Sequence, residues 1–245
     1  MSSGPLLSVI VAVRNAESTL ARTLDSILAQ SQPGVEIVLI DGASSDGTLA
    51  VAEAYRNRLG IFISEPDVGI PDAYNKGIRL AGGEWIYFLN ADDVFHSNKT
   101  LADVFALGPF SEYDLVVGKV IATNGREFDG RFGPMLALRN TVHHQAIFYR
   151  AAILKALPYN NQYRRYGHDH EHNLLLWRRK LPVRYINLFV ALWATGGISD
   201  GGKWKDYAEE FRIRRNVFGL VGWPLNFITV VRFVLKNIII TIGKV

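Results

Sequence analysis

The sequence predicts an α/β domain built on a mainly parallel sheet, and three observations favour this class. Four short apolar runs of strand length fall in the first hundred residues of a 245-residue chain. Helical patterns and loops of small capping residues separate these runs, so the units have βαβ form with right-handed crossovers. Hydrophobic residues make up 49% of the chain, which is enough for a sizeable core.

The predicted elements follow one another in a regular order. Residues 7–13 are the first strand, and Asn15 is predicted to cap a helix whose apolar face carries Leu20, Leu24, Ile27 and Leu28. The remaining elements are a strand at 35–40, a loop of small residues at 41–48 before another helix, a strand at 61–64, a helix at 71–80 and a strand at 85–90.

The cysteine count and the N-terminal residues indicate in which cellular compartment the chain is found. The chain has no cysteine, which excludes disulfides and thiolate metal sites and fits a reducing environment. Its first five residues lack the basic and apolar regions of a signal peptide. We therefore expect the chain to begin in the cytosol.

Basic residues are concentrated in the last third of the chain, although the formal net charge is only +4. This asymmetry indicates an anionic partner, which could be lipid headgroups, a phosphorylated acceptor or nucleic acid. No nucleic-acid-binding motif accompanies the basic residues, so we rank a membrane surface or a phosphate above nucleic acid. The basic residues are Arg164, Arg165, Arg178, Arg179, Lys180, Arg184, Lys203, Lys205, Arg212, Arg214, Arg215, Arg232, Lys236 and Lys244.

Two adjacent carboxylates, Asp92 and Asp93, follow the aromatic-rich run at 85–90. Like charges at the end of a buried strand are tolerated where a cation or hydrogen-bond donors offset their repulsion. Oxygen ligands of this kind suit Mg²⁺ or Mn²⁺, which commonly join one or two carboxylates to nucleotide phosphates. A solvated turn is the alternative.

Polar residues follow the predicted strands at one edge of the sheet. Ligands of parallel sheets bind outside the carboxyl ends of the strands, which is where Arg14, Asn15, Asp41, Asp67 and residues 90–93 fall. This coincidence favours a ligand site over a solvated turn. The chain has neither a Gly-x-Gly-x-x-Gly nor a Walker-type loop, so a nucleotide would be held by loop backbone, aspartates and metal. Asp41 could accept from a base or cap its own loop.

Several stretches together form a specific pattern. In the first half they are SVIVAVRN at 8–15 with Thr19 and Leu20, Gln30, EIVLIDGASSDGT at 36–48, SEPDVGI at 64–70, DAYNKG at 72–77 and AGGEWIYFLNADD at 81–93. A thinner pattern follows with HQAIFYR at 144–150, DHE at 169–171 and GGIS at 196–199. The chain resembles family 2 glycosyltransferases of the GT-A fold, and its later half resembles bacterial members that build exopolysaccharide or lipopolysaccharide.

The resemblance implies a nucleotide-diphosphate sugar donor, Mg²⁺ or Mn²⁺ as cofactor, and transfer with inversion at the anomeric carbon. UDP is preferred on family frequency, GDP and dTDP stay open, and the acceptor would be a polysaccharide or a lipid-linked saccharide. Asp92 matches the metal-binding last aspartate of the family's Asp-X-Asp motif, with Asp93 beside it as a second candidate ligand. The motif's first aspartate is Asn90 here, which weakens the charge of the site.

The same resemblance gives a set of donor-binding residues. Ala12 and Arg14 would line the nucleotide, Asp41 would contact the base, and Lys76 would lie near the ribose or the diphosphate. The full expected set is Ala12, Arg14, Asp41, Asp67, Lys76, Asn90, Ala91 and Asp92.

The resemblance also places Asp169 at the position of the catalytic base, with Glu171 as second candidate. Inverting transfer needs such a group to take the proton of the acceptor hydroxyl. A helix N-cap is the alternative role for Asp169. Three neighbouring histidines, His168, His170 and His172, could chelate zinc only on an extended strand, and the pattern that follows them is helical. The expected acceptor or sugar region consists of His144, Gln145, Trp193, Gly196 and Gly197.

We predict a GT-A domain over 1–203, with a nucleotide-sugar half at 1–96 and an acceptor half at 97–203, and a helical extension over 204–245. The second helix of the extension is apolar over most of its surface but carries Arg232 and Lys236, which is typical of an interfacial helix. Packing on the catalytic domain or on a second subunit is the alternative. These features predict a cytoplasmic protein held peripherally at the inner face of the cell membrane, near a lipid-linked acceptor. The oligomeric state stays open.

Two other functions stay open at this point. A nucleotidyltransferase also uses an α/β sheet with acidic metal ligands, but it usually carries a Gly-rich basic loop after the first strand, which residues 11–15 do not form. A non-catalytic nucleotide-sugar-binding or scaffold protein is suggested by Asn90. A binding protein should lose donor affinity only when Asp92 is replaced, whereas an enzyme should lose turnover when either Asp92 or Asp169 is replaced.

Overall fold

The computed structural model describes residues 4–163, 167–195 and 204–242. All four strands predicted in the first half occur, as β1 Leu7–Val13, β2 Val35–Asp41, β3 Ile61–Ser64 and β4 Trp85–Phe88. They form a parallel sheet in the spatial order β3-β2-β1-β4. The predicted fold class is confirmed, and β4 ends two residues earlier than predicted.

Three helices connect these strands, namely α1 Leu20–Leu28, α2 Thr48–Ala54 and α3 Ile70–Leu80. Helix α3 packs closely on β1, because a Cβ atom placed on Gly77 would lie 2.6 Å from Cγ2 of Ile10. Glycine is therefore required for this approach of helix to sheet. The apolar face predicted for α1 is buried at Leu20, Leu24 and Ile27.

The prediction that Asn15 caps α1 is wrong. The helix begins only at Leu20, and Asn15 has a left-handed backbone with φ of 53°. The Oδ1 atom of Asn15 accepts a hydrogen bond from the backbone N–H of Ser45 at 2.9 Å. Its own backbone N–H donates to Oγ of Ser44 at 2.8 Å. Asn15 therefore ties the loop after β1 to the loop after β2 and shapes the edge of the sheet.

The second half extends the same sheet. It contains the strands β5 Val94–Phe95, β6 Leu115–Ala122, β7 Glu127–Phe128, β8 Ile147–Arg150 and β9 Val183–Trp193. Beyond β4 the order is β8-β6-β9-β5, with β7 beside β6, so the described sheet has nine strands. Strand β8 is antiparallel to β4 and β6, whereas β6 and β9 are parallel. The helices of this half are α4 Thr100–Ala106, α5 Ala151–Ala156 and α6 His168–Arg178.

Aromatic side chains fill the core where the two halves of the sheet meet. The ring of Tyr87 lies 4.6 Å from that of Phe148 and 5.1 Å from that of Phe95. The Tyr87 hydroxyl donates to the backbone oxygen of Gln145. Strand β4 is thus anchored on both sides, and it carries the acidic turn that follows it to a fixed place at the edge of the sheet.

Two C-terminal helices occur where they were predicted. These are α7 Trp204–Phe218 and α8 Leu225–Ile242, joined by a 3₁₀ turn at Gly219–Gly222. Within the described residues, no helix is both long and apolar enough to cross a bilayer. The division of the chain at residues 203 and 204 stays a prediction.

Arg214 holds the two C-terminal helices against the rest of the molecule. Its side chain is only 1% exposed. It donates to the backbone oxygens of Ala137 at 2.7 Å and Leu138 at 3.0 Å. It also donates to Glu210 of α7 at 2.8 Å and to Thr229 of α8 at 2.7 Å. Both C-terminal helices are therefore bound to the segment around residue 138.

We expect Arg214→Ala to lower the free energy of unfolding by about 3 kcal/mol, because it leaves buried acceptors without a donor. The matched control is Arg215→Ala, since Arg215 is the next residue of α7 and is exposed; its effect should stay within about 0.5 kcal/mol. Urea unfolding of both variants measures the difference. Equal effects would contradict the assigned role of Arg214.

Candidate active site

A cavity of about 870 Å³ opens at the carboxyl ends of β1 and β4. This volume is in the usual range for small-ligand sites. Loops after β1, β3 and β4 form one side, while residues 143–145, the first turn of α6 and the end of β9 form the other. The structure thereby brings together predicted residues from both halves of the chain, namely Ala12, Arg14, Asp67, Asn90, Ala91, Asp92, Asp93, His144, Gln145, Asp169 and Trp193.

The turn after β4 presents one free carboxylate to this cavity. Within the described residues, the Asp92 side chain makes no hydrogen bond and no ion pair. Only its backbone oxygen is bound, by Nη2 of Arg22 at 2.6 Å. The carboxylate is therefore available to a cation or to a ligand.

The neighbouring carboxylate of Asp93 is engaged inside the protein. It is 4% exposed and accepts from Nε2 of Gln145 and from the backbone N–H of Ala194, the latter at 2.6 Å. Burial, with the nearby charge of Asp92, raises the pKa of Asp93 to about 6. Asp93 thus joins the turn after β4 to the far side of the cavity.

Asp169 lies in the first turn of α6 and contacts two histidines. Its Oδ2 atom is 3.2 Å from Nδ1 of His144, and its Oδ1 atom is 3.3 Å from Nε2 of His168. The side chain is 21% exposed and lines the cavity. A carboxylate has about four acceptor sites, so Asp169 can still accept a hydrogen bond from a hydroxyl.

The charges of this cluster follow from burial and proximity. Burial alone would raise the pKa of Asp169, but His168 and His144 outweigh it and hold that pKa well below its ordinary value. Burial would lower the pKa of His144, but Asp169 outweighs it and raises that pKa. Burial dominates at His168 and lowers its pKa. Of the two histidines, His144 therefore keeps its added proton to the higher pH. By linkage, it contributes stability that is fully present below pH 6.5 and is lost as the pH rises through its raised pKa.

Tyr74 fixes the orientation of Asn90. The Tyr74 hydroxyl donates to Oδ1 of Asn90 at 2.8 Å. The Tyr74 ring lies 6.3 Å from the ring of His144 and 6.0 Å from the ring of His168. Within the described residues the amino group of Asn90 makes no hydrogen bond, so this group is free to donate to a ligand.

Asp67 and Arg14 shape the side of the cavity that is formed by the loops after β1 and β3. Oδ1 of Asp67 accepts from the backbone N–H of Gly69 at 2.9 Å. A Cβ atom placed on Gly42 would lie 2.2 Å from Oδ2 of Asp67, so a larger residue at position 42 would displace this carboxylate. Arg14 is exposed on the rim, where it supplies a cation.

Two predicted donor-binding residues do not line the cavity. Asp41 is fully buried and accepts from the backbone N–H of Ser44 at 3.0 Å and from Oγ of Ser64 at 2.6 Å. The capping alternative describes these contacts, and contact with a base stays a prediction. Nζ of Lys76 lies 2.9 Å from Glu65, and its contact with a ribose or diphosphate likewise stays a prediction.

Glu171 faces α7 and does not line the cavity. Its Oε1 atom accepts from the Tyr163 hydroxyl at 2.9 Å and from Nδ2 of Asn216 at 2.9 Å. His170 and His172 each place Nε2 within hydrogen-bond distance of a backbone oxygen, at 2.6 and 3.0 Å. These side chains hold α6 in place. Gly196 and Gly197, predicted near the sugar, lie outside the described residues.

The lining residues that were not among the predicted site residues include three with rings, namely Tyr74, His143 and His168. Trp193 stacks on His143 with ring centres 5.1 Å apart, and His143 stacks on His144 at 4.9 Å. The adjacent histidines at 143 and 144 are a visible sequence signal. Nothing in the sequence shows, however, that the buried face of α3, which carries Tyr74, reaches the cavity.

A second concavity of about 590 Å³ lies around Trp85 and Phe110. It is lined mainly by apolar residues, and its carboxylate, Glu84, is paired with Arg150. The guanidinium of Arg150 also lies 4.1 Å from the Trp85 ring centre. The charged side chains of this second concavity are therefore paired with each other and stabilise the fold. The larger cavity is the candidate active site.

The α/β architecture is a fold of the GT-A type. The chain superposes on S. aureus TarS 1-349 in complex with UDP-GlcNAc with a TM-score of 0.70 at 19% identity, covering 90% of this chain and 70% of that one. It spans 39% of a longer TarS chain. With the mannosyltransferase PcManGT from Pyrobaculum calidifontis, in complex with GDP-Man and Mn²⁺, the TM-score is 0.62 at 17% identity, covering 99% and 80%. These similarities show the fold.

The chain belongs to glycosyl transferase family 2, because the sequence model of that family matches residues 8–181. A PGL/p-HBAD biosynthesis glycosyltransferase of Mycobacterium tuberculosis is 38% identical over 208 residues, which cover 81% of this chain and 80% of the relative. The predicted family is confirmed, and the protein is a glycosyltransferase.

Proposed function

We propose that this enzyme transfers a sugar, with inversion, from a nucleotide-diphosphate sugar to a hydroxyl of a saccharide or lipid-linked saccharide. The observation that carries the proposal is the pairing of two different carboxylates in one cavity. Asp92 is free to bind a cation. Asp169 is charged, held by two histidines, and able to accept a hydrogen bond. The first suits the leaving diphosphate, and the second suits the attacking hydroxyl.

The donor is proposed to lie along the loops after β1, β3 and β4. Arg14 offers a cation for phosphate oxygens, and Asp67 lies beside it. The amino group of Asn90 is a donor for a ribose or sugar oxygen, since its own oxygen accepts from Tyr74. UDP is the preferred nucleotide, and it is supported by the TarS complex with UDP-GlcNAc. The PcManGT complex with GDP-Man keeps GDP as an alternative.

A divalent metal, Mg²⁺ or Mn²⁺, could be bound between the carboxylate of Asp92 and the phosphates of the donor. Asp92 supplies a free carboxylate, whereas Asp93 is occupied by Gln145 and Ala194. No group of three or more histidine, aspartate or glutamate side chains in the described ranges could hold a metal alone. Mg²⁺ is often bound through one or two carboxylates plus substrate phosphates, which matches this cavity. When bound, the metal would neutralise charge on the leaving diphosphate.

Asp169 is proposed to take the proton of the acceptor hydroxyl as that oxygen attacks the anomeric carbon. Nδ1 of His144 orients the carboxylate through the contact with Oδ2. A low pKa keeps Asp169 ionised before the reaction, so the carboxylate is ready to accept the proton as the hydroxyl attacks the oxocarbenium-like centre. Trp193, stacked on His143, offers an apolar ring face at the acceptor side of the cavity.

A thermal-shift screen tests the proposed donor site. We expect one nucleotide sugar among the UDP, GDP and dTDP series to raise the melting temperature, and to raise it further with Mn²⁺ or Mg²⁺, because ligands that bind only the folded state stabilise it. A shift without metal dependence would contradict the role of Asp92. The absence of any shift in folded protein would contradict a donor site formed by this chain alone.

A further inference from the structure

Helix α8 has its polar side towards the protein. Oδ1 of Asn226 accepts from Arg214 at 3.0 Å, and Oγ1 of Thr229 accepts from Arg214 at 2.7 Å. Arg232 donates to the backbone oxygen of Leu138 at 2.6 Å. The helix is therefore attached to the domain through hydrogen bonds and ion pairs. The polar residues that make these contacts are of the kind that a helix usually exposes to water.

The opposite side of α8 is apolar and exposed. Phe227 is 73% exposed, Val230 and Val231 are each 38% exposed, and Val234 is 48% exposed. These four residues follow the i, i+3, i+4, i+7 spacing of a single helix face. A surface helix in water shows the reverse arrangement, with polar residues outward. The outward face of α8 is thus suited to an apolar environment.

The turn before α8 continues this apolar face. Leu220 and Val221 are each 86% exposed, and Trp223 is 73% exposed. Scattered exposed apolar residues are ordinary, but a contiguous group of large ones marks an interaction site. The turn and the outward face of α8 together form such a group.

Cations lie next to this turn at the end of α6. The guanidinium of Arg178 is 5.3 Å from the ring centre of Phe218 and donates to the backbone oxygen of Val217. The two residues that follow, Arg179 and Lys180, are exposed. An apolar surface bordered by exposed basic residues complements an anionic lipid leaflet, where apolar side chains enter the acyl boundary and cations meet the headgroups.

We propose that the α7–α8 turn and the outward face of α8 form a membrane-docking surface for an anionic lipid leaflet. Its apolar part consists of Leu220, Val221, Trp223, Phe227, Val231 and Val234. The sequence-based prediction of an interfacial helix relied in part on Arg232, which instead contacts the protein. The exposed cations are supplied by the end of α6, which is remote in sequence.

The docking surface is connected to the proposed active site by α6. Asp169 lies in the first turn of this helix, and Arg178 is its last residue. Eleven helical residues span about 16 Å, so the cavity would lie roughly one short helix away from the lipid headgroups. The inference deepens the proposal of a lipid-linked acceptor. Vesicle binding is measured without donor or acceptor, so either proposal can fail while the other stands.

Co-sedimentation of the full-length chain with vesicles tests the apolar part. We expect binding to mixed phosphatidylcholine–phosphatidylglycerol vesicles, and a rise of about tenfold or more in the apparent Kd for Leu220→Ser combined with Val221→Ser. Both side chains are highly exposed, so folding should be unaffected. The control pair is Leu80→Ser with Leu107→Ser, which are 38% and 47% exposed at the end of α3 and just after α4 and should bind like the original chain.

A second pair of variants tests the charged part. Arg179→Gln with Lys180→Gln should weaken binding severalfold and reduce its sensitivity to salt, while binding to phosphatidylcholine alone stays weak. The exposed residues Arg58 and Arg79, changed to Gln together, are the matched control and should leave binding unchanged.

Two outcomes would overturn the proposal. The first is equal vesicle binding by the original chain and the Leu220–Val221 variant. The second is a concentration-dependent dimer, seen by analytical ultracentrifugation, that this variant loses while its vesicle binding is unchanged. The apolar face would then be a contact between two copies of the chain.

Discussion

Asp169→Asn is expected to reduce kcat by about 10³-fold, within the 10²- to 10⁴-fold range that general base catalysis usually contributes. Asparagine has nearly the same shape but cannot take a proton from the acceptor hydroxyl. The site of Asp169 is separate from the donor loops, so donor binding should change little. Steady-state product formation measures the loss, and the donor-induced thermal shift reports binding in the same variant.

The matched control for this prediction is Glu171→Gln, two residues further along the same helix. Glu171 accepts hydrogen bonds from Tyr163 and Asn216 on the side of α6 away from the cavity. We expect this change to lower the melting temperature and to leave kcat nearly unchanged. A loss of kcat equal to that of Asp169→Asn, in folded protein, would show that the two carboxylates are not distinguished in the way proposed here.

The parallel half of the fold was predictable because its signals are local. A strand buried on both faces is a near-continuous apolar run, and such runs end where polar loops begin. The buried strand at 7–13 was accordingly predicted with the bounds that the structure has. The edge strand at 61–64 was predicted with the correct bounds as well, although it is only half-buried. Asn15 shows the limit of this approach, because a residue that suits an N-cap also suits a left-handed turn, and only the contacts with Ser44 and Ser45 decide between them.

The candidate site was predictable only in part, because its side chains contact residues that are distant in the sequence. The contact between Asp169 and His144 joins α6 to a turn in a different part of the chain, and no spacing in the sequence indicates it. The resemblance to a family supplied Asp169 as a candidate base, without its partner. The orientation of helix α8 likewise depends on contacts between residues that are distant in the sequence. Periodicity separates its apolar and polar faces, but only Arg214 and Glu210 show that the polar face is the inner one.

Asp92→Asn is expected to reduce kcat on the order of 10²-fold and to abolish the metal-dependent part of the donor thermal shift. Asp92 is the free carboxylate of the turn after β4, and an amide in its place removes the negative charge that would attract a divalent cation. Titration with Mn²⁺ at fixed donor concentration measures the effect. An unchanged metal dependence would exclude Asp92 as the ligand.

Metal removal and the Asp92 substitution should not be additive if they act on the same interaction. Chelation should therefore bring the original enzyme close to the activity of Asp92→Asn and should change the variant very little. Asp93→Asn is the neighbouring control. Its carboxylate accepts from Gln145 and from Ala194, and an asparagine oxygen can replace only one carboxylate oxygen, so we expect lower stability with the metal response retained. Opposite behaviour of the two variants would assign the metal to Asp93 and the structural role to Asp92.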